Sequence, residues 1–451
     1  MKKYEKYKDS GFDWIGEIPE HWEIDKLGWQ GIFSASGIDK KTVKGEPLVK
    51  MINYTDIYGN ENLTLTADKK YMIVSCPKNK KDIHQVNVGD LIFTPSSETA
   101  DEIGLSALVV DEMPDTVYSY HVIRLQITKD FDIDFRKYLC NNNFVLNQFS
   151  KEAKGTTRQI IGRDVFKNIK VLIPPKPEQT AIANYLNRKT AQIDQLIADK
   201  KRLLQLYEEE KTAIINQAVT KGIPCKDARP CVSYKDSGIE WLGKIPEHWK
   251  VKKLKYFVKK IGSGVTPRGG ASVYLTSGIP LLRSQNIHFD GLRLDDVAYI
   301  SNDTHNEMSN SKVISGDVLL NITGASIGRC YYITEALGEA NVNQHVCIIR
   351  PNKKLCSQFL YYILRSFVGQ VQIKIEQTGS GREGLNFEAL KNFIIPETEI
   401  DEQTAIVQYI EKEIARINAK VGKAKKLIEL LEEYRTALIS EVVTGKIKVT
   451  E

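Results

Sequence analysis

At 451 residues the chain is too long for one ordinary core and predicts two or more domains. Its 42% hydrophobic and 27% charged residues exclude a disordered chain, and with no apolar stretch behind the N-terminal lysines and no run of membrane-spanning length, a cytoplasmic protein is expected. A net charge of +6 is too modest to mark a nucleic-acid binder by itself.

The first feature along the chain is "YKDSGFDWIGEIPEHW" from Tyr7, and a near copy, "YKDSGIEWLGKIPEHW", begins at Tyr234 with twelve of sixteen positions identical. The match runs on. Gly89-Asp90 meets Gly316-Asp317 at an offset of 227; after a three-residue deletion, His121-Val122 meets His345-Val346 and Lys167-Asn168 meets Lys391-Asn392 at 224. "EQTAIANYLNRKTAQIDQL" from Glu178 answers "EQTAIVQYIEKEIARINAK" from Glu402. The chain is thus one unit of about 225 residues written twice, long enough for each copy to hold its own core. Such a duplication predicts a pseudo-two-fold arrangement. Trp14 and Trp22, and their counterparts Trp241 and Trp249, read as packing that docks each domain onto the adjoining helix ends, with base stacking as the other reading. His21 and His248 are assigned no chemistry.

Behind the opening motif each copy reads as mixed α/β (α+β). Short apolar strands are expected at 90–93 and 122–125, and again at 317–320 and 346–349. Helical stretches follow at 135–149 and 357–375, then final strands at 169–173 and 393–395. The copies differ most in their loops: "NYTDIYGNENLTL", "TPSSETADE" and "KEAKGTTRQ" in the first, "GSGVTPRGG", "LLRSQNIHF", "NITGASIGR" and "TGSGREG" in the second. These polar side chains suit contacts to phosphates and base edges, although ordinary surface loops are polar too.

Two long helices close the copies. Ile182, Leu186, Ile193, Ile197, Leu204, Tyr207, Ile214 and Ala218 mark an apolar stripe in the first. The second has Ile406, Ile410, Ile414, Ile417, Val421, Ala424, Ile428, Leu431, Leu438 and Val442. Asp401 can cap the second helix, and Gly222 and Gly445 follow the two ends. Each should be about 60 Å long at 1.5 Å per residue and pair antiparallel with its duplicate as a coiled coil. Lys211 and Arg435 fall at the same seam position, either snorkelling along the seam or offering a partner contact. The domain plan is 1–177, helix 178–221, linker 222–233, 234–400, helix 401–444 and tail 445–451.

Residues 221–260 hold eleven Lys/Arg against four Asp/Glu, a solvated linker face or a phosphate-contacting strip. The seven cysteines form no CxxC pair and are expected to be reduced, and Cys225 with Cys231 lacks the spacing of a zinc site, so no metal is expected. There is no GxxxxGK[ST], HExxH or aminomethyltransferase tetrad, and no glycine run set in a βαβ unit as a Rossmann fingerprint requires. Neither "GSGVTPRGG" nor "TGSGREG" stands between a strand and a helix as a phosphate cradle would.

The doubled "YKDSGxxWxGxIPEHW", together with "IPPKPEQTAIANYL", "IPETEIDEQTAIVQYI", "GIPLLRSQNI", "GDVLLNITGASIGR" and "NVNQHV", resembles the specificity subunits of type I restriction-modification systems over essentially the full length. The resemblance implies two target-recognition domains, each reading one half of a bipartite asymmetric site in double-stranded DNA, separated by two long helices. It also implies two methyltransferase subunits that use S-adenosylmethionine to methylate adenine N6. Two restriction/translocase subunits that use ATP and Mg2+ complete the complex. No cofactor is expected on this chain, nor a membrane partner. The expected DNA contacts are Asn53, Tyr54, Thr55, Thr157, Arg158 and Gln159 in the first domain. In the second they are Arg268, Arg283, Gln285, Asn286, Arg329 and Arg382, since Arg and Asn/Gln suit bidentate base readout. Two other readings stand beside this one: a duplicated coiled-coil scaffold that binds only protein, and a methyltransferase with degenerate motifs.

Overall fold

Leu91–Phe93 is an uninterrupted apolar run, and all three of its side chains are buried, as a central strand covered on both faces requires. The computed structural model describes residues 2–60, 62–224, 233–378 and 384–449. It divides into two units, Met1–Lys201 with Lys426–Glu451, and Arg202–Lys425.

In the first unit Leu91–Phe93 lies between Ile123–Ile127 and Ser106–Val109, in a five-stranded sheet that Gly31–Ser34 and Thr64–Leu65 complete at its edges. A second sheet places Leu48–Ile52 between Thr116–Tyr118, which is parallel to it, and Met72–Ser75, which is antiparallel. Phe93, Phe149 and Phe166 meet edge-on and tilted at 4.8–6.4 Å between centroids, packing the sheet against its helices.

The second unit repeats this order. Val258–Ser263, Val346–Pro351, Val318–Asn321 and Cys330–Tyr332 form one antiparallel sheet. In the other, Ile279–Leu282 runs parallel to Ala340–Val342 and antiparallel to Ala298–Ile300. Each copy buries the aspartate of its Gly-Asp pair. Asp317 is fully buried and accepts two hydrogen bonds from Arg350, at 2.7 and 2.9 Å. Asp90 lies 3.8 Å from Arg124 and accepts the Asn87 backbone N–H at 2.9 Å.

The helical stretches expected as single elements are each two helices. Asn142 breaks the first, because its side chain accepts the Val145 N–H at 3.2 Å and so starts Asn143–Glu152 afresh after Arg136–Cys140. Ser366 does the same between Ser357–Arg365 and Phe367–Thr378, its hydroxyl accepting the Val368 N–H at 3.2 Å.

The long helices span Lys176–Lys221, 46 residues, and Ile400–Val443, 44 residues. At 1.5 Å per residue they measure about 69 and 66 Å. Asp401, expected as a cap, lies inside the first turn, where a carboxylate favours the positive end of the helix dipole. Each unit contains one globular domain, the N-terminal part of the helix that follows it, and the C-terminal part of the other helix. Within the second unit the two segments run in opposite senses: Lys420 lies 5.7 Å from the Tyr207 ring, and Arg416 bonds Glu210 at 2.9 Å. Within the first, Arg435 pairs with Asp194 at 3.1 Å. Lys211 is buried and bonds Glu208 of its own helix at 2.8 Å.

The opening motif is the joint between domain and helices. Trp22 is fully buried and donates its indole N–H to Glu178 at 3.0 Å, while Tyr4 donates to the same carboxylate at 2.9 Å and His21 meets it at 2.6 Å. Trp249 and His248 bond Glu402 at 3.1 and 3.0 Å in the second unit. The glycine after each helix completes the joint. Gly445, with φ +72°, packs so closely on Pro19 that a Cβ would overlap the ring, and Gly222, with φ +75°, faces Trp249.

Among the described residues no helix is long and apolar enough to cross a membrane, and the five described cysteines are free thiols. Cys225 and Cys231 lie outside them.

Candidate nucleic-acid interface

In the first domain three loops meet. Asn53 opens the short helix Tyr54–Ile57 with a capping box, its backbone N–H donating to Asp56 at 2.8 Å. This turn presents Tyr54, half-buried, and Thr55, exposed. Ser96–Ser97 pairs antiparallel with Gln159–Ile160, which brings "TPSSETADE" to "KGTTRQ". The guanidinium of Arg158 then lies 5.3 Å from the Tyr54 ring, and Tyr54 stacks on Tyr58 at 5.2 Å. Tyr58 donates to Glu102 at 2.7 Å, a bond that, with burial second, pushes its pKa up to about 12 and keeps it a donor. Burial, and then the cations Lys40 and Arg158, lower the pKa of His121 and favour its neutral ring.

The second domain repeats the construction with other side chains. Arg283 opens the turn Ser284–Asn286 as Asn53 opens its own, its backbone N–H donating to Asn286 at 2.9 Å. Thr323 bridges to Gly384 where Ser96 bridges to Ile160. Ser284, Gln285, Thr323, Ser326, Arg329 and His345 border a shallow cavity of about 430 Å3. Gln285 is exposed and steadied by Asp296 at 2.9 Å, and Thr323 meets His345 at 2.6 Å.

The expected contacts separate accordingly. Tyr54, Thr55, Thr157 and Arg158 gather on the first surface, and Gln285 and Arg329 on the second. Asn53 and Asn286 are 4% and 1% exposed and are spent on holding their turns, Asn53 accepting from Ser119 at 3.1 Å and Asn286 donating to the Arg293 carbonyl at 2.8 Å. Buried amides of this kind cannot reach a base edge, and both are corrected to structural roles. Gln159 donates to the Gly155 carbonyl at 2.7 Å and braces its own loop. Arg283 is half-buried, donating to the Asp296 carbonyl at 3.1 Å beneath Tyr274. Arg268 is exposed two residues beyond Thr266, which bonds Gln344 beside His345. Arg382 lies outside the described residues.

The same surfaces also hold Glu98, whose charge acts on Tyr54, with Tyr58 and Glu102 in the first domain, and Thr323, Ser326 and His345 in the second, none of which the sequence reading singled out. The matched His121-Val122 and His345-Val346 pairs were the available signal for His345. "GSGVTPRGG" proves to need glycine for packing, since a Cβ on Gly264 would overlap the Val342 carbonyl.

Two copies of one α/β domain, each holding three polar loops on one surface with different side chains, define a duplicated recognition protein. The chain belongs to the family of the type I restriction modification DNA specificity domain, whose model matches residues 39–205 and 246–429. It is similar to the type I restriction enzyme MjaVIII specificity subunit of Methanocaldococcus jannaschii, 24% identical over 98% of this chain and 97% of that one. Among solved structures it shares the fold of the HsdS subunit from Thermoanaerobacter tengcongensis, with a TM-score of 0.54, 16% identity and coverage of 95% and 98%. A chain from a study of complex assembly and conformational transition in a type I R-M system aligns with a TM-score of 0.64, at 16% identity over 95% of this chain and 99% of that one.

Proposed function

We propose that this chain is the specificity subunit of a type I restriction-modification complex, in which each domain reads one half of a bipartite asymmetric site in double-stranded DNA. The observation that carries the reading is the shared geometry of the two loop surfaces. The capped turn and the bridging loop recur, while Tyr54 and Arg158 on one surface are replaced by Gln285, Ser326 and Arg329 on the other. One scaffold with two sets of readers is what an asymmetric site requires.

The long helices act as an antiparallel coiled-coil spacer between the readers and dock methyltransferase subunits. Their uninterrupted length and the opposite running of their paired segments support this. The two-fold relation of the halves rests on the repeat in the sequence and on the matching strand orders. The chain is non-catalytic, works in the cytoplasm, and leaves S-adenosylmethionine to two methyltransferase subunits and ATP with Mg2+ to two restriction/translocase subunits. The test is DNA retention by the complex with a methyltransferase partner. Binding should fall steeply with salt, by several decades for six to ten phosphate contacts between about 50 and 200 mM. Retention that ignores salt and sequence would contradict it.

A further inference from the structure

The strand pair that closes the first reading surface is followed on its two sides by two opposite charges. The antiparallel pairing ends with Ser97 opposite Gln159, and Glu98 and Arg158 are the residues that follow it on the two sides. They do not pair. Arg158 turns over the Tyr54 ring, and among the described residues neither side chain makes an ion pair or hydrogen bond. Both are exposed, and Glu98 adds with Glu102 to the rise of the Tyr54 pKa that burial begins and Arg158 opposes. The second domain has Ala325 at the position of Glu98 and no carboxylate in "NITGASIGR".

An unpaired carboxylate on a surface that meets phosphates weakens general DNA binding, so its presence there calls for a specific donor. In the major groove the donors are the exocyclic amino groups. Adenine N6 stands beside the N7 acceptor, which repels a carboxylate; cytosine N4 stands beside a C–H edge. We propose that Glu98 is a specificity-determining residue that accepts a hydrogen bond from cytosine N4 in the first half-site, beside Arg158 held on Tyr54. This rests on the reading of the chain as a DNA specificity subunit.

The test uses the complex with its methyltransferase partner and DNA libraries randomised in each half-site separately. The wild type should prefer cytosine at one position of the first half-site. Glu98→Ala should flatten that preference by about tenfold or more, leave the second half-site unchanged, and tighten binding to unrelated DNA because an anion has left the phosphate face. Glu98→Gln should move the same position towards adenine, whose N6 and N7 suit an amide. Unchanged preferences in both variants, with the wild type still reading a bipartite site, would overturn the proposal and leave the function standing. A wild-type complex with no base preference in either half would remove the function and the proposal together.

Discussion

Trp249 donates its indole N–H to Glu402 at 3.1 Å, across 153 residues of sequence, and so fastens the second domain to the start of the second long helix. Burial alone would raise the Glu402 pKa, but hydrogen bonds from Thr398, His248 and Trp249 hold it below the ordinary value of 4.5. A carboxyl depressed by folding contributes stability that is present above its unfolded pKa and lost as pH falls through the folded one. Trp249 fluorescence followed between pH 6 and 3 should therefore report loosening of this joint only below about pH 4.5. Glu402→Gln should remove that acid step. Glu402→Ala should cost about 1–3 kcal/mol in denaturant unfolding, since it leaves a buried indole N–H without its partner.

Asp317 depends on Arg350 in the same domain. Truncation by Arg350→Ala strands a fully buried carboxylate and should destabilise the domain by about 3–5 kcal/mol. Arg350→Lys should recover only part of this, because an ammonium lacks the fork that reaches both oxygens. Thermal unfolding of the three proteins gives the order.

Gly104 and Gly11 both have positive φ, +80° and +73°, but only Gly104 faces a side chain, the Phe149 ring, where a Cβ would overlap. Gly11→Ala should cost about 1–2 kcal/mol for the left-handed backbone alone. Gly104→Ala should cost a further 1–3 kcal/mol or so for the overpacked ring. Equal costs would show that the ring moves aside freely.

The spacer reading makes a geometric prediction. Four residues inserted into the first long helix add about 6 Å at 1.5 Å per residue, enough for up to two base pairs. The spacer between the half-sites of the methylated sequence should lengthen, and an unchanged spacer would contradict the role given to the helices.

The repeat, the strand positions and most of the helix stripe were legible because they are periodic. Ile406, Ile410, Ile417, Ala424, Ile428, Leu438 and Val442 are all buried where the spacing put them. The first helix departs near its end. From the buried Lys211 the stripe steps by four to Ile215 instead of by three to Ile214, a choice between neighbouring apolar residues that only packing decides. The reading surface was harder. Asn53 and Asn286 have the side chains of base readers, but the same amides cap turns, and spacing alone does not separate the two uses. Glu98 went unread because a carboxylate looks wrong at a phosphate surface until the structure brings its loop, with that of Arg158, beside Tyr54.

The central claim is that two different readers share one duplicated scaffold, and methylation-sensitive genome sequencing of cells carrying this chain with its methyltransferase tests it most directly. The wild type should mark an asymmetric sequence in two parts, Gln285→Ala and Arg329→Ala should each relax only one part by about 1–3 kcal/mol at single positions, and Arg158→Ala only the other. A single continuous motif, or variants in one domain that alter both parts alike, would contradict it.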